Sequence, residues 1–352
     1  MRVDRRLTAF FDAAVEQYLL STSDRVLGDL TVRRAGLSGE TAMPIAVAVA
    51  LLARARDDGH SALSLSDLAA EATELARELA AAAGTDASGA LMHERDPAWW
   101  RAMLIAVPSV VQGVNSSATS PLVLHGSLVQ FRRYFDAEQR IAAHLRMSLA
   151  HGEPTFRVIT GGPGTGKTTR IAELLIDTLA RDPARRVALA APTGKAAARL
   201  SESVRLRLDG MNASPDVRAR VPQSARTVHR LLGYQPDRDR FWSRAGTPLP
   251  YDLVILDEAS MVDVLLMDAL VAALPPHATL LLVGDQDQLA SVEAGDVFGA
   301  ICRVAHDIGT GHALHDRVLR LTRSYRFEAH PGIGEAAAAI LAGDVAALSA
   351  LV

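Results

Sequence analysis

The sequence has 352 residues, a formal net charge of −3 and a hydrophobic content of 49%. This length allows two or three domains, and the composition is that of a folded chain rather than a disordered one. The longest apolar run, residues 43–53, is shorter than the ~18 residues of a membrane span, and Asp12 and Glu16 interrupt the first apolar stretch, which argues against a signal peptide. A single cysteine, Cys302, excludes an internal disulfide and a multi-cysteine zinc site. We therefore expect a cytoplasmic protein with no membrane association.

The first part of the chain predicts helices. Residues 1–115 are rich in Ala and Leu and predict an N-terminal helical domain that docks a partner. Within it, Ser64–Ala81 has a Ser cap, early acidic residues and apolar residues at helical spacing. The Gly-, Ser- and Asn-rich stretch at 111–121 predicts a domain boundary. Residues 116–150 predict a connector, with helix over 122–149.

From residue 151 the pattern changes to short apolar runs that alternate with helices. The runs lack polar alternation, which is typical of parallel strands buried on both faces. We therefore predict a doubly wound α/β domain over 151–315, with an Arg- and Pro-rich inserted subdomain at about 205–250. The predicted strands are Phe156–Thr160, Val187–Ala191, Leu253–Leu256 and Thr279–Val283.

A glycine-rich turn follows the first predicted strand and opens a helix. Its pattern G-x-x-x-x-G-K-T allows backbone N–H groups to surround phosphate oxygens at a helix start. Lys167 would reach the β- and γ-phosphates of ATP, and Thr168 would ligate Mg²⁺. A chance glycine-rich turn would not combine the strand, the lysine and the helix. The candidate nucleotide-binding residues are Gly161, Gly162, Pro163, Gly164, Thr165, Gly166, Lys167, Thr168 and Thr169.

The third predicted strand ends in two acidic residues, Asp257 and Glu258. Carboxylates are common at strand ends, so this pair gains its meaning from the glycine-rich turn. Beside a phosphate-binding loop, Asp257 would hold Mg²⁺ and Glu258 would polarise the attacking water.

Charge and lysine usage add two observations. Residues 151–250 carry a balance of +8, and residues 251–300 carry nine acids with no Lys or Arg. The first could face a polyanion and the second a divalent cation, although ordinary solvated surfaces would give the same counts. The chain has 35 arginines but only two lysines, Lys167 and Lys195, and both follow Thr-Gly. An ammonium is a compact point charge, unlike the guanidinium of arginine. The two lysines therefore indicate positions where the ammonium itself is required.

Six segments of the chain form an ordered series of motifs. They are Gly161–Thr169 (motif I), Ala191–Ala198 (motif Ia), Thr227–Gly233, Asp257–Asp263 (motif II), Gly284–Gly295 (motif III) and Leu321–Phe327 (motif IV). In this order they resemble the motifs of RecD-like superfamily 1 DNA helicases, the alpha-subunit family of exodeoxyribonuclease V. The resemblance covers about residues 110–345, and it implies a RecA-like P-loop parallel sheet with an N-terminal helical domain.

The resemblance also implies roles for individual residues. Gln288 would sense the γ-phosphate, Arg326 would act as an arginine finger, and Tyr325 would stack on adenine. A structural ion pair and a core aromatic remain alternatives for the last two. The residues implied to contact single-stranded DNA are Pro192, Thr193, Gly194, Lys195, Thr227 and His229.

The sequence departs from the family pattern in two places. Gln139 is the nearest candidate for an adenine-recognising glutamine, and it lies far ahead of motif I. Motifs V and VI do not follow motif IV before Val352. We therefore expect residues 316–352 to be the start of a truncated second RecA-like domain.

The family implies an ATP-dependent 5′–3′ translocase on single-stranded DNA, with RecB- and RecC-like partner subunits, in double-strand-break repair. Two alternatives stay open at this point. One is a catalytically incomplete remnant that binds nucleotide or docks a partner. The other is an unrelated P-loop ATPase that acts on protein.

Overall fold

The computed structural model describes residues 5–83, 95–114, 120–150, 155–288, 291, 293–323, 336, 339–340 and 344–350. The chain divides into two compact units. One comprises Met1–Glu138 with Val292–Gly295, and the other comprises Gln139–Ser291 with Asp296–Val352. Within the described ranges, no helix has the length and apolarity needed to cross a membrane.

The first unit is built around a buried helix, α3. Its apolar residues face all directions, and residues 42–53 are all buried, which is typical of a helix at the centre of a core. Phe10, Phe11 and Trp100 are fully buried in the same cluster. The helices are α1 (Arg5–Glu16), α2 (Thr22–Arg34), α3 (Ala42–Asp57), α4 (Leu65–Ala83) and α5 (Pro97–Ile105).

The first unit also contains a four-stranded sheet that we did not predict. Its order is β1-β4-β3-β2, where β3 and β4 form an antiparallel hairpin and β2 pairs parallel to β3. The strands are β1 (Ala62–Ser64), β2 (Val111–Gln112), β3 (Leu122–His125) and β4 (Leu128–Phe131).

This sheet corrects two expectations. Residues 122–131 are strands, and helix begins only at α6 (Arg132–Ala150), so 116–150 is not an all-helical connector. The start of 111–121 is a buried strand of this core rather than a domain boundary. The helix predicted at Ser64–Ala81 is confirmed as α4, and the Asp67 N–H donates to the Ser64 hydroxyl at its start.

The second unit contains a parallel six-stranded sheet of order β12-β5-β11-β10-β6-β7, which confirms the predicted α/β class. All four predicted strands are present. The sheet strands are β5 (Phe156–Gly161), β6 (Val187–Ala191), β7 (Arg226–Thr227), β10 (Leu253–Leu256), β11 (Thr279–Gly284) and β12 (Val318–Leu321). A separate hairpin is formed by β8 (Tyr234–Gln235) and β9 (Arg240–Phe241).

Helices cover one face of this sheet because their apolar stripes pack on it. Side chains of α7, α8 and α9 share a core cluster with Ile159, Leu189, Ile255 and Val283 of the strands. The helices of the unit that follow α6 are α7 (Lys167–Arg181), α8 (Gly194–Gly210), α9 (Pro215–Arg220), α10 (Val228–Leu232), α11 (Val264–Ala272), α12 (Val297–Ile308) and α13 (Val345–Ala350).

Two parts of this unit differ from expectation. The stretch 205–250 is not wholly a separate insertion, since Val217 and Val221 pack in the sheet core and β7 extends the sheet. Residues 318–321 form β12 and pair with β5, so they belong to this sheet rather than to the start of a second domain. The expected boundary at 315/316 is therefore wrong.

Candidate nucleotide-binding site and its nucleic-acid edge

The glycine-rich turn connects β5 directly to α7. Gly164 and Gly166 have φ values of 75° and 91°, a region that glycine adopts without steric cost. A Cβ at Gly161 would lie 2.7 Å from the Leu321 carbonyl oxygen and 2.8 Å from the Thr165 hydroxyl. The backbone can therefore form this turn because glycines at these positions avoid steric clashes.

Polar side chains close the turn from within. The Lys167 ammonium donates to the Gly161 carbonyl and, at 3.3 Å, to the Gly162 carbonyl. The Thr165 hydroxyl also donates to the Gly162 carbonyl, at 2.8 Å. Lys167 is half-buried at the start of α7, so its charge lies at the helix end that favours anions. An entering phosphate would take the ammonium from these carbonyls.

The acidic pair lies at the carboxyl end of β10. The Asp257 N–H donates to the Ala190 carbonyl at 2.9 Å, which continues the strand pairing by one residue. Burial, and then the neighbouring Glu258 charge, raises the pKa of Asp257 to about 6, while Lys167 opposes the shift. Glu258 has φ of 53°, which is uncommon for a residue with a side chain and is concentrated at functional sites.

These residues suit a hard divalent cation. In the part of the chain that the structure describes, no cluster of three or more His, Cys, Asp or Glu could hold a metal by itself. Mg²⁺ needs no such cluster, because one or two carboxylates and nucleotide phosphates suffice. A cation would also offset the burial cost that raises the pKa of Asp257.

Motif III begins where β11 ends, between the other two motifs. β11 pairs with β5 on one side and with β10 on the other. Asp285 is 5% exposed, and its carboxylate accepts the Asp287 N–H at 3.1 Å. Gln288 is exposed, and its N–H donates to the Asp285 carbonyl at 3.3 Å. Motifs I, II and III thus follow the carboxyl ends of three adjacent strands. Ligands of open α/β sheets bind at this edge.

The implied DNA-contact residues lie at the same edge, directly after β6 and in the β7–α10 segment. Ala191 pairs with Thr227, so the two segments begin side by side. The Thr193 hydroxyl accepts the Ala196 N–H and caps α8. The Thr227 hydroxyl accepts the Arg230 N–H and caps α10. Pro192 is half-buried, and Gly194 and Lys195 are exposed at the start of α8.

His229 has a structural environment as well as a predicted contact. Its ring lies 5.6 Å from the Tyr234 ring and 5.8 Å from the Phe241 ring, which holds α10 against the β8–β9 hairpin. The residue is nevertheless exposed. Ring packing therefore explains its position, and contact with DNA stays a prediction.

Sequence reasoning missed two arginines, Arg226 just before the Thr227–Gly233 segment and Arg230 within it. A groove of about 550 Å³ opens between α8 and the β7–α10 segment, and Arg226 and Arg230 line it with Gly, Ala, Ser and Thr residues. Both side chains are exposed, and no carboxylate is among the lining residues in this described stretch. The signal for them was the +8 balance of residues 151–250 together with their position on either side of Thr227.

Three predicted residues are not placed with the site. Tyr325 and Arg326 lie outside the described residues. Gln139 is exposed on α6, and its role in adenine recognition stays a prediction. The structure therefore brings together the motif I, II and III residues and, along the same edge, those of motif Ia and the Thr227–Gly233 segment.

Two families of known proteins match different parts of the chain. Residues 16–129 match the family described as the RecBCD enzyme subunit RecD, N-terminal domain. Residues 148–294 match the family described as an AAA domain. The first match falls within the helical unit, and the second takes in motifs I and II and all but the last residue of motif III.

Curated relatives carry related names. The RecBCD enzyme subunit RecD of Mycolicibacterium smegmatis is 43% identical over 236 residues, which is 64% of this chain and 40% of the relative. That of Mycobacterium tuberculosis H37Rv is 37% identical over 350 residues, covering 89% of this chain and 55% of the relative. The ATP-dependent RecD2 DNA helicase of Deinococcus radiodurans is 42% identical over 190 residues, covering 54% and 22%.

The chain thus spans about half the length, or less, of these relatives. Its parallel sheet, its motif order and the match to the RecD N-terminal domain agree with one another. The chain thus combines a RecD N-terminal domain with a P-loop domain, and over most of its length it is similar to the RecD-like helicases of superfamily 1.

Proposed function

We propose that this chain forms the nucleotide-binding motor domain and the N-terminal docking domain of an ATP-dependent DNA helicase subunit that moves 5′ to 3′ on single-stranded DNA. The observation that carries the proposal is the meeting of motifs I, II and III on three adjacent strands, with two basic motif segments along the same edge. The residues proposed to bind phosphate, metal and DNA thereby lie at one end of one sheet.

ATP would be held mainly through its phosphates. The turn from Gly161 to Gly166 offers N–H groups, and Lys167 offers a counter-charge that is already half-buried. Thr168 and Asp257 would hold Mg²⁺, which neutralises charge on the phosphate oxygens when it is bound. Tyr325 would stack on the base.

Hydrolysis would depend on groups that touch the γ-phosphate and the attacking water. Glu258 directly follows Asp257, the proposed metal ligand, and its left-handed backbone conformation sets the direction in which its side chain leaves the chain. It would orient the water and accept its proton. Gln288 would report the γ-phosphate to the DNA edge, and Arg326 would stabilise charge that develops on that phosphate.

Single-stranded DNA would run along the groove between α8 and α10. Phosphate contacts from Lys195, Arg226 and Arg230, with the amide and hydroxyl groups of Thr193 and Thr227, would position the strand without reading its sequence. The lack of carboxylates among the groove-lining residues of this described stretch supports such a path.

The partner proposal rests on the relatives. Those from the two mycobacteria are named as subunits of RecBCD enzymes, so RecB- and RecC-like subunits are the proposed partners of this chain. The N-terminal unit is the proposed docking domain. A cytoplasmic location, where such a complex would meet DNA, and a role in double-strand-break repair belong to the same proposal.

The alternatives gain no support from these observations. The relatives described above are named RecD or RecD2, which disfavours an unrelated ATPase that acts on protein. The matches to RecD relatives and to both family descriptions favour a helicase subunit over a remnant that only binds nucleotide.

Replacing the P-loop lysine tests the proposal. Lys167→Ala should weaken Mg·AMP-PNP binding by about 100-fold or more, because a charge-assisted contact to phosphate is lost and a phosphate charge stays partly buried. Lys195→Ala is the matched control, since it removes the second lysine, which lies outside the glycine-rich turn. Calorimetric titration of both variants gives the answer. Equal binding by wild type and Lys167→Ala would overturn the proposal.

A further inference from the structure

One buried threonine lies between two of the motifs. Thr160 is the residue before Gly161 on β5, and it is 1% exposed. Its hydroxyl accepts the Gln286 N–H at 3.2 Å, across 126 positions of sequence. Gln286 lies two residues before Gln288. A buried hydroxyl of this kind needs a partner, and here the partner is the motif III loop.

This hydrogen bond extends the sheet beyond its last paired residue. The β5–β11 ladder ends at the pair Thr160 and Gly284. Bonds within the loop, from Asp287 and Gln288 to Asp285, set the loop's own shape. The bond to the Thr160 hydroxyl fixes the position of the motif III loop relative to the phosphate-binding turn.

The same hydroxyl also reaches α12. It lies close enough to the Cys302 thiol to lower the pKa of that group, although burial raises this pKa overall. Nearby on α12, Phe298 packs so closely on Gly284 that a Cβ there would lie 2.9 Å from the ring and 3.2 Å from the Ser260 nitrogen. The start of motif III is therefore wedged between α12 and motif II, and Thr160 ties it to motif I.

We propose that Thr160 is a positioning residue that holds the motif III loop, and hence Gln288, at the γ-phosphate. The inference rests on the proposed function, because it assumes that Gln288 senses that phosphate. Without the hydroxyl, the turn around the α- and β-phosphates keeps its own contacts, while the loop that meets the γ-phosphate loses its anchor. Thr160 thus controls discrimination between nucleotide triphosphate and diphosphate rather than nucleotide binding as such.

The test compares the affinities of Mg·AMP-PNP and Mg·ADP. Thr160→Val keeps the shape and removes the hydroxyl, and Thr160→Ser keeps the hydroxyl. Loss of one hydrogen bond should lower the preference for AMP-PNP over ADP about 5- to 10-fold in Thr160→Val and leave the ADP affinity within about 2-fold. Thr160→Ser should retain the preference of the wild type.

Two further variants separate the proposed role from general destabilisation. Thr279→Val removes a hydroxyl at the other end of β11, where it accepts a hydrogen bond from Arg185 at 3.0 Å, and should leave the preference unchanged. Cys302→Ala keeps the Gln286 bond and should also leave it unchanged. Hydrogen exchange should show faster exchange around Gln286 in Thr160→Val alone. If Thr160→Val does not fold, Thr160→Ala gives the same comparison.

The outcomes are distinct. An unchanged preference in Thr160→Val, an equal loss in Thr279→Val, or no rescue by Thr160→Ser would overturn the inference. If Gln288→Ala lowers the preference and Thr160→Val does not, the proposed function stands and this inference fails. If the wild type binds neither nucleotide, the proposed function itself fails.

Discussion

The two ends of β10 carry aspartates in opposite situations. Asp252, just before the strand, accepts hydrogen bonds from the Arg186 backbone and guanidinium and lies 3.1 Å from the His277 Nε2 atom. These partners, Arg186 first, hold the pKa of Asp252 well below its usual range. Asp257, just after the strand, has a pKa raised to about 6 by burial.

The fold is less stable at the carboxyl end of this strand, where the proposed site lies. The same residue type is stabilised at the amino end of the sheet and costs free energy at the carboxyl end. The Glu258 backbone at φ 53° lies at the costly end as well. Such costs persist at sites where a ligand supplies the missing interaction.

The largest expected effect is on Mg²⁺-dependent nucleotide binding. Mg²⁺ should raise the affinity for AMP-PNP in the wild type. In Asp257→Asn this increase should be about 10- to 100-fold smaller, because a carboxylate ligand becomes a neutral amide. Asp252→Asn should leave that gain unchanged. Titrations with Mg²⁺ and with excess chelator measure both. A loss in Asp252→Asn as large as in Asp257→Asn would remove the distinction between the two ends.

The second effect is on stability without ligand. Because the folded pKa of Asp257 is raised, its ionised form destabilises the fold above about pH 6, and the cost disappears below the ordinary value of 3.8. Asp257→Asn should therefore stabilise the ligand-free protein by on the order of 2 kcal/mol at pH 8 and have little effect at pH 4. Urea unfolding at both pH values tests this. Destabilisation at pH 8 would contradict it.

The third effect is the reverse, at the other aspartate. The pKa of Asp252 is lowered in the folded protein. Its stabilising contribution to the free energy of unfolding is therefore present above about pH 4 and is lost as the pH falls through the folded-state pKa. Asp252→Asn should destabilise the protein by about 1 kcal/mol at pH 7, since the pair is partly exposed and screened. Arg181→Ala, at the exposed end of α7, is the control. Equal unfolding midpoints for Asp252→Asn and wild type would show that the cluster contributes nothing.

The smallest effect concerns DNA at the carboxyl edge. Each of Arg226→Ala and Arg230→Ala should reduce the salt dependence of single-strand binding by a slope of about 0.7, because one phosphate contact is lost. Arg181→Ala, outside the groove, should leave the slope unchanged. Fluorescence anisotropy with a labelled oligonucleotide, over a range of salt concentrations, checks this. A change that depends on oligonucleotide sequence would contradict a phosphate-tracking groove.

Local chemistry explains what the sequence could predict. The turn after β5 and the acids after β10 were predictable because each motif needs specific residues within a few positions. The hairpin of β3 and β4 was missed because its two short apolar runs lead directly into a strongly helical pattern at Arg132. The strand at Val318–Leu321 was missed because it is an edge strand with exposed residues and no apolar run.

Contacts between distant residues were beyond sequence reasoning. The bond between Thr160 and Gln286 joins residues that are adjacent only after β5 and β11 pair. The groove containing Arg226 and Arg230 exists because β7 pairs with β6. Likewise, the opposite pKa shifts of Asp252 and Asp257 depend on packing, since both residues simply flank the same apolar strand.

The most direct test of the central claim is the thermal stability of wild type and Asp257→Asn at pH 8, with and without Mg·AMP-PNP. Without ligand, Asp257→Asn should melt at the higher temperature because the buried charge is gone. With saturating Mg·AMP-PNP, the melting temperature of the wild type should rise more than that of Asp257→Asn, because the wild type gains more from binding. A ligand-free wild type that is more stable than Asp257→Asn, or a ligand-induced rise that is as large in Asp257→Asn as in the wild type, would contradict the claim that this strand end gives up stability to bind a metal–nucleotide complex.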